Sequence, residues 1–114
     1  MLECGHDYYC KQPHKKPKKV ADMVTYHEDA VVSREIIKTQ NTTVILFAFD
    51  KSQGLTEHTT PYDALVQLIE GNAEIIIDRK IYNVKEGEMI IMPANHPHTV
   101  NAKEKFKMLL IMAK

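Results

Sequence analysis

From residue 20 onward, short apolar runs rich in Val, Ile, Thr, Phe and Tyr recur between polar or glycine-bearing breaks. Alternation with period two is the mark of a half-buried strand, and a run that is apolar at every position is buried on both faces. The pattern predicts strands over residues 30–38, 42–50, 63–70, 73–78, 81–84, 88–92, 99–101 and 105–113. In the second of these, Val44, Leu46 and Ala48 point one way and Ile45, Phe47 and Phe49 the other, so both of its faces need cover. Residues 20–26 are the one short helical candidate. Gly71-Asn72, Asp78-Arg79-Lys80 and Lys85-Glu86-Gly87 read as hairpin connections, the middle one without the glycine that positive φ favours. Many short strands and no long helix predict an all-β fold. The expected form is an antiparallel β-barrel or jelly roll, in which closure removes the aggregation-prone edges.

Composition narrows the class. The chain has 114 residues, 44% hydrophobic and 26% charged, enough for one globular domain and its core. Fifteen Lys and Arg balance fifteen Asp and Glu, which argues against a nucleic-acid-binding surface covering the domain. No apolar run approaches the roughly 18–20 residues that span a bilayer, so no membrane partner is expected. The opening residues have neither a basic nor an apolar signal region, and the expected location is the cytoplasm.

Charge is uneven along the chain. Residues 1–19 hold five Lys and two acids, and the stretch from Lys11 to Lys19 contains two prolines and no apolar residue. Such a segment cannot offset its ordering entropy by burial, so residues 1–19 are expected to form a basic, mobile arm and residues 20–114 the domain. The arm carries Cys4, His6, Cys10 and His14. These ligand types suit Zn²⁺, but their spacing matches no common zinc finger, and a tail with free thiols is the expectation.

Two stretches concentrate the chemistry. One runs from Gly54 through His58, Thr60 and Asp63 to Gly71, and the other from Gly87 through Pro93, Asn95, His96 and His98 to Asn101. Each joins an imidazole-bearing turn to an apolar strand. They resemble the paired motifs of the cupin superfamily. The first motif of that family runs glycine, five residues, His-x-His, three or four residues, Glu, six residues, Gly; here only three residues separate Gly54 from His58. The second runs glycine, five residues, Pro-x-Gly, two residues, His, three residues, Asn. It maps from Gly87 to His98, with Asn95 at the glycine position and Asn101 one place early. The chain resembles a common branch of small single-domain cupins of unassigned activity, and the resemblance implies a double-stranded β-helix.

The resemblance also implies a metal site, held in metal-binding cupins by three His and one Glu. His58 and His98 occupy two of those positions, while Thr60 stands at the second His and Ala64 at the Glu. The third ligand is expected from His96 or, beside the vacant Glu position, from Asp63. Thr60, Asp63, Ala64, Val66, Gln67 and Met92 are expected around the pocket, although alternation points Gln67 away from Ala64, Val66 and Leu68. Met89, Met92, Met108 and Met112 are expected as core or pocket wall. The implied cofactor is a divalent transition metal (Mn, Fe, Zn or Ni), and the implied partner a small organic molecule that is bound or transformed. The alternative is a metal-free cupin that binds a small ligand or performs His-based acid/base isomerisation. Strands apolar on both faces, together with the family's habit, imply a homodimer.

Overall fold

Period-two runs become strands almost throughout. In a computed structural model describing residues 16–114, these are β1 (Val31–Lys38), β2 (Thr42–Phe49), β3 (Gly54–His58), β4 (Asp63–Glu70), β5 (Ala73–Ile77), β6 (Lys80–Val84), β7 (Met89–Met92), β8 (His98–Asn101) and β9 (Phe106–Ala113). Cys4, His6, Cys10 and His14, with most of the expected arm, lie outside the described residues.

Every strand pairing is antiparallel. One sheet has the order β1-β2-β9-β4-β7 and the other β3-β8-β5-β6. The fold is thus the all-β jelly roll expected from the pattern. Inward residues of both sheets form the core, with Phe49, Val66, Leu68, Ile75, Val100 and Phe106 essentially sealed from solvent. Phe49 and Phe106 are register partners, and their rings stack with centroids 4.6 Å apart.

The two-faced character of β2 has a specific cause. Its outward Leu46 and Ala48 are covered by the chain's own N-terminal segment, in which a single 3-10 turn (Val20–Met23) leads into the buried Val24. Polar contacts hold that segment down. Lys107 Nζ donates to the Ala21 carbonyl at 2.5 Å, Arg34 Nη1 to the Met23 carbonyl at 3.0 Å, and the Tyr26 hydroxyl to Glu70 Oε2 at 2.6 Å. Part of the apolar surface that implied a second subunit is therefore covered from within.

Two local features place the site. Strand β3 lies outside the predicted strands: Gly54 to His58 has no apolar alternation, and the strand is largely exposed. It forms because Gly54 lets β3 approach β8 closely: a Cβ at Gly54 would collide with the Val100 carbonyl. The second is the turn before β8, where Asn95 adopts φ 65°. Asparagine is one of the few non-glycine residues that enter this left-handed region readily, so the replacement of the motif glycine is tolerated.

Candidate functional site

His58 is the last residue of β3 and His98 the first of β8, and the two are direct register partners. A register shift between Leu55 and His58 brings the two rings to the same end of the sheet. The rings meet edge-on, centroids 4.3 Å apart and planes at 70°, with the two Nε2 atoms 3.1 Å apart. His98 is buried, only 4% exposed, whereas His58 sits at the rim.

The outer nitrogens determine what the inner ones can do. His58 Nδ1 lies 2.7 Å from the Thr56 carbonyl oxygen and His98 Nδ1 3.2 Å from that of His96. A carbonyl oxygen only accepts, so both Nδ1 atoms carry a proton and donate it. In the neutral pair both Nε2 atoms are then unprotonated, 3.1 Å apart on rings that meet edge-on. Two acceptors at 3.1 Å need something positive between them: a shared proton or a metal ion. Burial pushes the His98 imidazole below its usual pKa, and a charged His58 would push it lower still, while the His96 carbonyl opposes both. Protonation of the buried ring is therefore disfavoured.

A metal ion suits the geometry. Ligating histidines characteristically donate their other ring N–H to a carbonyl or carboxylate, which fixes the tautomer and orients the ring. Two metal–nitrogen bonds of about 2.0–2.1 Å span roughly 2.9–3.4 Å between nitrogens at octahedral to tetrahedral angles, a range that includes the observed separation.

Beneath the pair lies a cavity of about 40 Å³, walled by Thr60, Ala64, Met92, Met108 and Met112 and closed by Leu55, Val100 and Leu110. Ala64 pairs with Met92 on β7 and with Met112 on β9, so the three form one row across adjacent strands. A single buried water needs roughly 10–15 Å³ of such space, and organic-ligand pockets run to roughly 300–1,000 Å³. The chamber has the scale of an ion or a few waters.

Not every expected residue joins this group. Thr60, Ala64 and Met92 line the cavity with the two histidines. His96, an expected third ligand, does not: its Nδ1 lies 2.7 Å from Asp78 Oδ2 in the β5–β6 turn, and its side chain is half exposed. Asp78 captures the ring first. Asp63 accepts the Ala94 N–H on Oδ1 at 2.8 Å, tying the turn before β8 rather than lining the chamber. Gln67 is exposed on the opposite face of β4, as alternation requires, and Val66 belongs to the sealed core. Among the described residues, no group of three His, Cys, Asp or Glu side chains is placed to hold a metal. Leu55 also lines the cavity, from a strand whose sequence carries no apolar pattern to point to it. Met89, expected as core or wall, is instead half exposed.

This architecture has known counterparts. The family profile described as "Cupin domain" matches residues 45–113. The chain belongs to the cupin family. It is similar to a conserved protein of unknown function from Streptococcus pyogenes, with 39% identity, 89% of each chain covered and a TM-score of 0.85. A "Cupin 2 conserved barrel domain protein" from Leptotrichia buccalis is 38% identical with a TM-score of 0.81, over 83% of this chain and 46% of that one. A cupin superfamily protein from Desulfitobacterium hafniense shares the fold at 24% identity, with a TM-score of 0.83 over 87% and 91% of the two chains. A comparison with curated proteins finds no match. Among the described residues no helix is long and apolar enough to cross a membrane.

Proposed function

We propose that this cupin holds one transition-metal ion between His58 and His98, where a small organic molecule is bound or transformed at the barrel mouth. The observation that carries this reading is the pair of unprotonated Nε2 atoms brought within 3.1 Å of each other, with both Nδ1 protons engaged by carbonyls. The Thr56 and His96 carbonyls orient the two rings, and Leu55, Val100 and Leu110 keep bulk water from their inner side. His58, exposed at the rim, leaves the outer side open to a substrate. An ion bound there supplies Lewis acidity, polarising a substrate oxygen or lowering the pKa of a bound water.

Of the expected divalent ions, Zn and Ni accept imidazole donors, whereas Mn and Fe lack the carboxylate they favour because Ala64 replaces it. A metal-free ligand-binding cupin would need more room than about 40 Å³ to enclose an organic molecule. Association into a homodimer belongs to the same proposal. It is supported by exposed Ile81, Tyr82, Met89 and Ile91 on β6 and β7, at the sheet margins, and sedimentation equilibrium showing only monomer would count against it.

The test is the metal content of the untagged full-length chain after equilibration with Zn²⁺ or Ni²⁺ and desalting. His58→Ala and His98→Ala are carried alongside. Any ion held by Cys4, His6, Cys10 and His14 is common to all three proteins, so the difference isolates the barrel site. One ion per chain lost in each variant is expected; equal loading in all three overturns the reading.

A further inference from the structure

We infer that the barrel site is a monovalent-copper site, in which the thioethers of Met92 and Met112 act as ligands beside His58 and His98. This rests on the reading of the histidine pair as a metal site, and it concerns what stands opposite that pair. The register places Met92 and Met112 on either side of Ala64, in one row facing the chamber. At the position of the family's carboxylate this chain therefore has a methyl group, with a methionine that lines the chamber on each neighbouring strand.

Three physical arguments converge on Cu(I). The first is donor softness: thioethers bind Cu(I) and contribute little to Mn, Mg or other hard ions. The second is charge. The four donors are neutral, Asp63 is committed to the Ala94 amide, and no carboxylate lines the chamber. The penalty for burying an ion rises with the square of its charge, so a neutral cage in an apolar wall favours a monovalent ion over a divalent one. The third is size, because about 40 Å³ has room for an ion beside the four side chains. Methionine is also a common gap-filler in cores. Yet three of the chain's six methionines line this single small chamber, against two imidazoles whose Nε2 atoms lie 3.1 Å apart. Met108, four residues before Met112 on β9, is part of the wall.

The experiment uses the full-length chain carrying Cys4→Ser and Cys10→Ser, so that arm thiolates do not compete. Cu(I), kept reduced with ascorbate under anaerobic conditions, is titrated against bathocuproine disulfonate. Zn²⁺ binding is measured in parallel. Met92→Leu, Met112→Leu and the double variant conserve volume and are expected to fold. The expected result is one Cu(I) per chain, weakened about 10–100-fold by each Met→Leu change, with Zn²⁺ binding unaltered. Copper-edge X-ray absorption should show a sulfur shell that disappears in the double variant. A site with only nitrogen and oxygen scatterers, or a double variant of undiminished Cu(I) affinity, overturns the thioether assignment. If Zn²⁺ still binds and is lost in His98→Ala, the histidine-pair reading survives that failure; if neither ion binds, both fall.

Discussion

His58 and His98, forty residues apart in sequence, end as register partners whose Nε2 atoms lie 3.1 Å apart while a backbone carbonyl holds each outer nitrogen. Without a cation this is an unfavourable contact, so an ion that binds should stabilise the fold by mass action. At a free concentration 100 times its Kd, the gain is about 2.7 kcal/mol. Thermal melts of chelator-treated protein, with and without Zn²⁺ or Cu(I), should show the shift in wild type and none in His98→Asn. An equal shift in both proteins would mean that the ion stabilises through another site.

Ala64 is the position at which a carboxylate would complete the family's ligand set. Ala64→Glu introduces a charge into a nearly sealed position, 4% exposed, above a chamber of about 40 Å³. The metal-free variant should lose roughly 2–4 kcal/mol of stability. Its affinity for divalent ions should rise by at least about tenfold as a third protein ligand is supplied. Chemical denaturation and metal titration check the two halves separately, and unchanged divalent affinity would mean that position 64 does not face the ion.

His96 illustrates how a neighbouring partner decides a ligand's fate. Its ring is engaged by Asp78 at 2.7 Å, and both side chains are about half exposed. His96→Ala should therefore leave metal affinity unchanged and lower stability by less than about 1 kcal/mol. Loss of metal in this variant would show that the imidazole leaves Asp78 to join the site.

Tyr26 ties the N-terminal segment to the outer face of the sheet. Its pKa is raised, first by burial and then by its hydrogen bond to Glu70, whose charge and that of Glu86 add to the effect; Lys105 and Lys107 stand over the same ring. In the unfolded chain the phenol loses its proton near pH 10. Above that pH the unfolded state binds fewer protons than the native one, so stability falls as pH rises; below it the contribution is complete. Tyr26→Phe should flatten this alkaline decline and, at neutral pH, cost about 0.5–1.5 kcal/mol for the lost hydrogen bond. Urea denaturation at pH 7 and pH 10.5 reads both effects, and parallel declines in the two proteins would contradict the assignment.

The β5–β6 connection is a two-residue turn in which Asp78 and Arg79 both have positive φ, 52° and 67°. This is the conformation for which Asp-Gly is favoured. Arg79→Gly should stabilise the protein by about 0.5–1 kcal/mol through relief of that strain. The measurement is the urea midpoint at an unchanged denaturant slope. A lower midpoint would mean that the arginine side chain contributes more than its backbone strains.

The strands, their alternation and the two-faced nature of β2 were legible in the chain because period two is a local property: each residue's face follows from its neighbours'. The same holds for the turn at Asn95 and for the motif positions of His58 and His98. Only the tertiary structure decided which distant groups meet. Asp78 reaches His96 across eighteen residues, residues 20–26 fold back over Leu46 and Ala48, and Met92 and Met112 arrive on either side of Ala64. Strand β3 belongs to the same class, since its exposed residues pair only because β8 is there to receive them. Register between strands far apart in sequence, and competition among partners for one side chain, are settled by the assembled barrel. No local pattern encodes them.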